Sequence, residues 1–231
     1  MNKFENRESL DFLRSLDKNS VDLGLIDPPY IISKASGYSN SKIPRLGVYS
    51  IDHGKWDDGE SFTMQDMDEN IKEYYRILKK GGTFITFCDI WKISYVKEMM
   101  ENARFKQIRF VEWIKTNPVP INSKRNYLTN AREVALLGVK VGKPTFNSQH
   151  DNAIYRHGIC KDRGRFHPTQ KPLKLMEELI EKHSNPGDIV VDTFAGSATT
   201  LIAAKRLNRA YMGCELETDC YNKAVERMNN Y

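Results

Sequence analysis

The chain has 231 residues, 40% hydrophobic and 28% charged, which suffices for one α/β domain with a full core and is short for two independent ones. No stretch approaches the eighteen or so consecutive apolar residues of a membrane span, and Met1 to Glu8 lacks the apolar core of a signal peptide. The net charge of +5 is modest in total but uneven in distribution.

Apolar β-branched runs alternate with helix-period segments, the pattern of a largely parallel sheet with helices on both faces. Val21 to Ile26 is the first predicted strand, and it runs straight into Asp27-Pro28-Pro29-Tyr30. A carboxylate, two ring-locked residues and an aromatic at a strand end make a stiff pocket rim. Such a rim accepts hydrogen bonds and stacks a flat ring at once, as a planar amine such as the exocyclic amino group of a nucleobase requires. Ile31 to Glu60 has no periodicity. Asp66 to Lys80, apolar at Met67, Ile71, Tyr74, Tyr75 and Leu78, is predicted as an amphipathic helix stopped by Gly81-Gly82. Thr83 to Phe87 then reads as a strand and Trp91 to Asn102 as a helix. Gln107 to Lys115 and Arg132 to Val139 are two further predicted strands. Asn117-Pro118-Val119-Pro120 excludes regular structure between them, and an antiparallel hairpin at one edge of the sheet suits the pair. Lys140 to Phe166 again lacks periodicity. Loops as long as these two are functional or disordered, and both lie beside motifs, so they are expected to be functional. Pro172 to His183 (helix), Asp188 to Thr193 (strand), Thr199 to Leu207 (helix), Arg209 to Glu215 (strand) and Thr218 to Asn229 (helix) complete the chain.

Within that last unit, Asp192-Thr193-Phe194-Ala195-Gly196-Ser197-Ala198-Thr199-Thr200 follows a strand and opens a helix. Gly196 and its small neighbours let a ligand approach the backbone, and the helix N-terminus supplies unpaired N–H groups. Glu215 ends the next strand, where a carboxylate can accept from ribose hydroxyls. The loop lacks both the G-x-G-x-x-G of a dinucleotide site and the Gly-Lys-Ser/Thr ending of a phosphate loop. An adenosine ligand without a phosphate chain fits better, which points to S-adenosylmethionine. His167-Pro168-Thr169-Gln170-Lys171-Pro172 stands just before a helix. It is either a proline-bounded helix entrance or a site for the carboxylate end of a methionine moiety.

Seven basic residues between Arg104 and Arg132 face one acid, and seven between Lys140 and Lys171 face two. Two basic stretches flanking a base pocket favour a phosphate-backbone footprint over a merely solvated face. Cys88, Cys160, Cys214 and Cys220 have no paired spacing, which suits reduced thiols in a cytoplasmic protein. His150, His157 and Cys160 lack a fourth partner and read as surface polar residues, so no metal is expected.

Taken together, the strings DPPY, HPTQKP and FAGSATT, in that order, resemble the β-class DNA amino-methyltransferases. Two further strings add to the resemblance. Trp113-Ile114-Lys115-Thr116-Asn117-Pro118-Val119-Pro120 is similar to the family's W-x-K-x-N-x-x-P, and Asp52-His53-Gly54-Lys55-Trp56-Asp57 to the D-x-G-x-W-D of its adenine-specific members. The resemblance runs from about Asn6 to the C-terminus. It implies one circularly permuted, Rossmann-like methyltransferase domain over 1–231, with DNA-recognition insertions at about 31–60 and 140–166. The implied reaction moves a methyl group from S-adenosylmethionine to the N6 amine of a flipped-out adenine. Asp27 and the Pro28 carbonyl would accept the amine hydrogens within a rim stiffened by Pro29, and Tyr30 would stack on the ring. Asn117 and Pro118 would hold the flipped base, and Trp113 would either touch that base or pack in the core. The cofactor would be held by Asp192, Phe194, Ala195, Gly196, Ser197, Thr199, Thr200 and Glu215, with His167, Thr169, Gln170 and Lys171. DNA would be joined as partner by a second copy of the chain and a cognate restriction endonuclease, in the cytoplasm.

Three places depart from the family pattern: Thr193 stands for a usual proline, Ala198 for a second glycine, and Arg7-Glu8 for the glycine-aspartate pair before the first helix. Cytosine-N4 methylation is the nearest alternative, although cytosine members more often carry serine in place of Asp27. Enzymes acting on RNA or protein amides usually place asparagine first and keep the unpermuted order. A binding module with a vestigial site predicts loss of the acceptors at the rim, and Asp27 is present.

Overall fold

In the computed structural model, residues 2–30, 62–118, 129–160, 165–167 and 169–231 are described. In chain order they form β1 (Lys3–Asn6), α1 (Ser9–Arg14), β2 (Val21–Ile26), α2 (Met64–Ile77) and β3 (Leu78–Cys88). A 3-10 turn (Ile90–Lys92) leads into α3 (Ile93–Asn102), β4 (Lys106–Lys115), β5 (Arg132–Val139) and β6 (Ile154–His157). The chain ends with α4 (Leu173–His183), β7 (Ile189–Asp192), α5 (Thr199–Arg206), β8 (Ala210–Glu215) and α6 (Thr218–Asn229). The strands make one sheet in the order β1-β8-β7-β2-β3-β5-β4-β6, in which β5 alone runs antiparallel to its neighbours among the described residues. This is the expected mostly parallel α/β architecture.

Side chains of the central strands alternate between two cores. Phe84 in β3 and Val134 and Leu136 in β5 pack with Ile71, Tyr74 and Ile77 of α2. Leu23, Leu25, Ile85, Phe87 and Leu137 pack with Leu175, Leu179 and Ile180 of α4 and Ala203 of α5. A sheet covered on both faces needs unbroken apolar runs, and β2, β3 and β5 supply them.

Gly24 shows how closely α2 sits on the sheet. A Cβ there would lie 2.7 Å from the Tyr74 ring and 3.0 Å from that of Phe84, and those two rings stack with centroids 4.6 Å apart. Neither ring can yield, so Gly24→Ala is expected to cost about 1–3 kcal/mol by overpacking. For a domain of this size that lowers the thermal midpoint by roughly 2–4 °C per kcal/mol, readable by thermal unfolding. An unchanged midpoint would show that α2 can lift off the sheet freely.

Several expectations change. The helix predicted over Asp66 to Lys80 ends at Ile77, because Leu78 turns extended (ψ 142°) and β3 begins there. Gly81-Gly82 therefore lies inside a strand, with Gly81 at φ 83° and its N–H donating to the carbonyls of Lys140 and Val141. Strand β1 was not anticipated from the sequence, whereas α1 follows Arg7-Glu8, where the resemblance implies a first helix. The β4–β5 hairpin is not at the sheet edge: β6, inside the aperiodic Lys140 to Phe166 segment, pairs with β4. Four residues are too few for periodicity to register. The Ile31 to Glu60 segment, the Asp52 to Asp57 string, Pro168, Val119 and Pro120 lie outside the described residues.

Candidate active site

From β2 the chain steps to β3 on one side, while β7 leads to β8 on the other, so strand order reverses between β2 and β7. At such a switch point the connections leave in opposite directions and open a crevice beyond the strands' carboxyl ends. Asp27 to Tyr30 follows β2 at that end, and the Asp192 to Thr200 loop follows β7. The topology thus brings together two strings some 165 residues apart in the chain.

At the rim, the Asp27 side chain is 18% exposed and both its oxygens are engaged. The Tyr30 hydroxyl donates to Oδ1 at 3.0 Å, and Lys171 Nζ donates to Oδ2. Lys171 is 5% exposed and also contacts Glu133 Oε2 at 2.9 Å, while Lys115 holds Glu133 Oε1 at 2.7 Å. Two carboxylates and two ammonium groups therefore form a charge-balanced buried cluster. Lys171 also lies 5.6 Å from the Tyr30 ring centroid and 5.0 Å from that of Phe87, within cation–π range.

Burial drives the Asp27 carboxyl above its ordinary range, with Lys171 opposing and Glu133 reinforcing. Burial would raise Glu133 too, but Lys171 and Lys115 bring it down to about 2. Glu133 has two cations where Asp27 has one, so Asp27 is the more readily protonated of the pair. For Lys171, burial works against the charge and the two carboxylates overcome it, leaving the amine raised.

In the second loop, Gly196 is left-handed (φ 51°) and its N–H donates to Glu215 Oε2 at 2.8 Å. The other Glu215 oxygen takes the Glu217 N–H at 2.9 Å. Ala198 adopts φ 58°, the conformation glycine would hold without strain. Arg227 of α6 fastens this turn by donating to Ser197 O at 2.7 Å and Thr199 Oγ1 at 2.9 Å. Thr193 also has a partner that a proline could not take. Its N–H donates to the Tyr74 hydroxyl at 3.2 Å, and its Oγ1 lies 3.0 Å from that oxygen. Phe194 packs edge-on to Phe62, with centroids 5.3 Å apart.

Asp192 is buried and takes the Phe194 N–H at 3.0 Å. Burial raises its carboxyl to about 7, with the Asp27 and Glu215 charges adding to the effect. In the unfolded chain it titrates near 3.9. The folded state therefore holds its proton more tightly, and the stabilisation present below about pH 4 is lost as pH rises through 7. Asp192→Asn keeps an acceptor for Phe194 N–H and removes that ionisation. The variant is expected to match the parent near pH 4 and to melt several degrees higher at pH 8, for a gain of up to about 4 kcal/mol. Parallel melting curves at both pH values would contradict the raised carboxyl.

His167-Thr169-Gln170-Lys171 divides between the two loops. The His167 ring lies over Gly196, whose added Cβ would be 3.6 Å from Nε2, and Thr169 Oγ1 is 3.1 Å from Nδ1. Burial, then Lys171 and Arg165, lower His167 to about 4, so it is neutral at pH 7. Gln170 donates to Cys160 Sγ at 3.1 Å, and its Oε1 is buried without a hydrogen-bond partner. Lys171, expected at the cofactor, instead spends its amine on Asp27 and Glu133.

Of the two roles open to Trp113, the structure shows core packing. Trp113 is 3% exposed in the β4–β6 core, and its indole N–H donates to His157 O at 2.9 Å, so its edges are consumed by the sheet. Asn117 Oδ1 accepts from Ile159 N–H at 2.6 Å, pinning the chain after β6. Pro118 is half-buried beside it. His157, one of the three loose polar residues, lies 2.7 Å from Glu178. Nor do the described basic residues of the two stretches form one face. Lys115 and Lys171 are internal, Lys140 donates to the Arg76 and Leu78 carbonyls, and Arg104 and Lys106 lie at the opposite end of the sheet from Asp27. Lys124, Arg125, Lys161 and Arg163 are outside the described residues. Glu133 was missed because a lone glutamate opening a strand carries no local signal. A depression of about 360 Å³ lined by Asn147, Pro186 and Arg209 lies at the amino ends of β7 and β8, away from this chemistry.

The DNA methylase family matches residues 21–226. The chain belongs to that family. The Type II methyltransferase M2.DpnII of Streptococcus pneumoniae is 30% identical, across 96% of this chain and 87% of its own length. M.HinfI of Haemophilus influenzae is also 30% identical, across 99% of this chain and 68% of its own. Among solved structures, the M1.HpyAVI–SAM complex superposes with a TM-score of 0.71 at 30% identity, covering 98% of this chain and all of the other. The cytosine-N4-specific PvuII DNA methyltransferase superposes at 0.75 with 18% identity, covering 100% and 91%, a likeness of fold. This DNA methylase is an S-adenosylmethionine-dependent enzyme with a Rossmann-like fold. Its residues fit the cofactor: the left-handed Gly196 turn, the N-terminus of α5 and the Glu215 carboxylate adjoin one another at the carboxyl ends of β7 and β8, and Gln170 Oε1 is a buried acceptor without a partner.

Proposed function

We propose that this DNA methylase modifies the N6 amine of adenine, with Asp27 as the acceptor that activates the nitrogen. The supporting observation is a buried carboxylate, fixed by Tyr30 and Lys171, at the switch point beside the cofactor loop. An adenine amine is a poor nucleophile because its lone pair is delocalised into the ring. Asp27 and the Pro28 carbonyl would accept its two hydrogens, draw the nitrogen toward tetrahedral geometry and localise the lone pair. When bound, S-adenosylmethionine supplies a methyl group on a cationic sulfur. Burial raises Asp27, which suits it to take the amine proton as that proton turns acidic. Tyr30, anchored by its hydroxyl, presents a ring in a fixed plane on which a base can stack. In duplex DNA the base must first be flipped out, at roughly a few kcal/mol.

Phe194, Gly196, Glu215, Gln170 and their neighbours are the proposed cofactor contacts, and Asn117 and Pro118 remain the proposed base contacts near β4. The chain is read as one catalytic domain with recognition segments at about 31–60 and 140–166. A cognate restriction endonuclease is proposed as a partner in view of the Type II names of its relatives. A homodimer and a cytoplasmic location complete the reading; no disulfide joins the four cysteines.

The test is methyl transfer from labelled S-adenosylmethionine into DNA, followed by nucleoside analysis. N6-methyladenine is expected. N4-methylcytosine as the product, or label confined to RNA or protein, would sink the reading.

A further inference from the structure

Asp27 meets a difficulty in its proposed role. Its Oδ1 holds the Tyr30 hydroxyl and its Oδ2 holds Lys171 Nζ. An oxygen neutralised by an ammonium in contact is a weak acceptor for an uncharged amine. Once Asp27 has taken the amine proton, moreover, Lys171 would face a neutral acid inside a buried site, and an unpaired buried cation is costly.

Glu133 removes both difficulties. The two donors that hold Asp27 already touch its Oε2, Lys171 Nζ at 2.9 Å and the Tyr30 hydroxyl at 3.2 Å. Its Oε1 is tied to Lys115 at 2.7 Å, and Lys115 itself lies 5.3 Å from the Trp113 ring centroid, so the carboxylate is fixed from behind. A small movement transfers either donor from one carboxylate to the other without stranding a buried polar group. We infer that Glu133 is a positioning residue for Asp27, the second acceptor onto which Lys171 and the Tyr30 hydroxyl shift when the substrate amine engages the Asp27 carboxylate. The inference rests on the reading in which Asp27 accepts the amine hydrogens. In that step the N–H bond breaks, its electron pair stays on nitrogen, and the O–H bond forms on Asp27. The proton then passes to solvent while Lys171 remains paired with Glu133.

The groups facing Asp27 are Lys171 ahead of α4, Glu133 of β5, Tyr30 beyond β2, Cys88 at the end of β3 and Asp192 at the end of β7. Of these, Glu133 is a negative neighbour that raises Asp27. Glu133→Gln should therefore move the acid limb of the pH–rate profile to lower pH. It should also lower kcat about 10- to 100-fold, the usual loss when a group that orients a reacting one is removed. S-adenosylmethionine binding, measured by equilibrium titration, should stay within about twofold, since Glu133 has no contact with the cofactor loop. Glu133→Asp keeps the charge and shortens the reach, so its acid limb should stay near the wild-type position while its rate falls between the other two. It also serves if the glutamine variant fails to fold.

The assay uses amplified, unmethylated genomic DNA and labelled cofactor, with the Asp27 carboxyl titrated by carbon NMR in the unliganded protein. Wild-type enzyme that labels no DNA overturns the reading beneath the inference. Wild-type enzyme that labels DNA, beside a Glu133→Gln variant with full rate and an unmoved acid limb, overturns the inference alone. Equal losses in both variants with unmoved Asp27 titration would likewise overturn it, leaving Glu133 a structural residue.

Discussion

Asp27→Ala is expected to lower methyl transfer by about 10³-fold, in the range found when a single proton-accepting group is removed. The variant should still bind S-adenosylmethionine with little change, because Asp27 makes no hydrogen bond to the Asp192 to Thr200 loop. It should also fold. Glu133 still accepts from Lys171 and from the Tyr30 hydroxyl, so neither donor is left unpaired. Single-turnover transfer at saturating cofactor separates the two effects. Activity within tenfold of wild type would remove Asp27 from the reaction, and a matching loss of cofactor affinity would make it a structural residue.

Lys171→Met is expected to give the largest loss of stability. Methionine matches the stem in volume but leaves the Asp27 and Glu133 carboxylates facing each other, with Lys115 on the far oxygen of Glu133 alone. Removing one partner of a buried ionic group costs about 3–5 kcal/mol. For a chain of this size that lowers the melting midpoint by roughly 6–20 °C. In the wild type, Glu133 is depressed to about 2, so its stabilising contribution is present above about pH 4.5 and lost only toward pH 2. In the variant, the facing carboxylates raise one another, so their contribution is present at low pH and lost as pH rises. The gap between variant and wild type should therefore narrow from pH 7.5 to pH 5. Equal midpoints at both values would contradict a buried Lys171.

The HPTQKP string divides between the two loops. His167 lies against the Gly196 turn while Lys171, four residues on, reaches Asp27. The string therefore ties the Gly196 turn to the Asp27 rim. Gln170, between them, keeps one buried acceptor unpartnered.

Much of this was legible in the chain. Long apolar β-branched runs cannot be satisfied except inside a sheet covered on both faces, so β2, β3 and β5 were visible as strands. The Asp27 to Tyr30 rim and the Gly196 turn announce themselves because each needs rare residue types in fixed succession. Short elements such as β1 and β6 escaped, since four residues set no period. The α2–β3 boundary was misplaced because Gly81-Gly82 resembles a helix stop, whereas its glycines serve a strand irregularity against Lys140. Charge counts along the sequence could not reveal that Lys115 and Lys171 turn inward and that Lys140 caps the end of α2.

By itself, the sequence determined the class of chemistry, an S-adenosylmethionine-dependent DNA methylase, and the order of the strings that mark it. Local strings encode this because neighbouring backbone groups build those sites. The tertiary structure alone decided which side chains complete the rim. Glu133 and Lys171 lie 38 residues apart in the chain and meet only because β5 and the turn before α4 converge beyond the carboxyl end of β2. Burial there turns weak surface charges into strong ones, and Trp113 is buried in the sheet beside it.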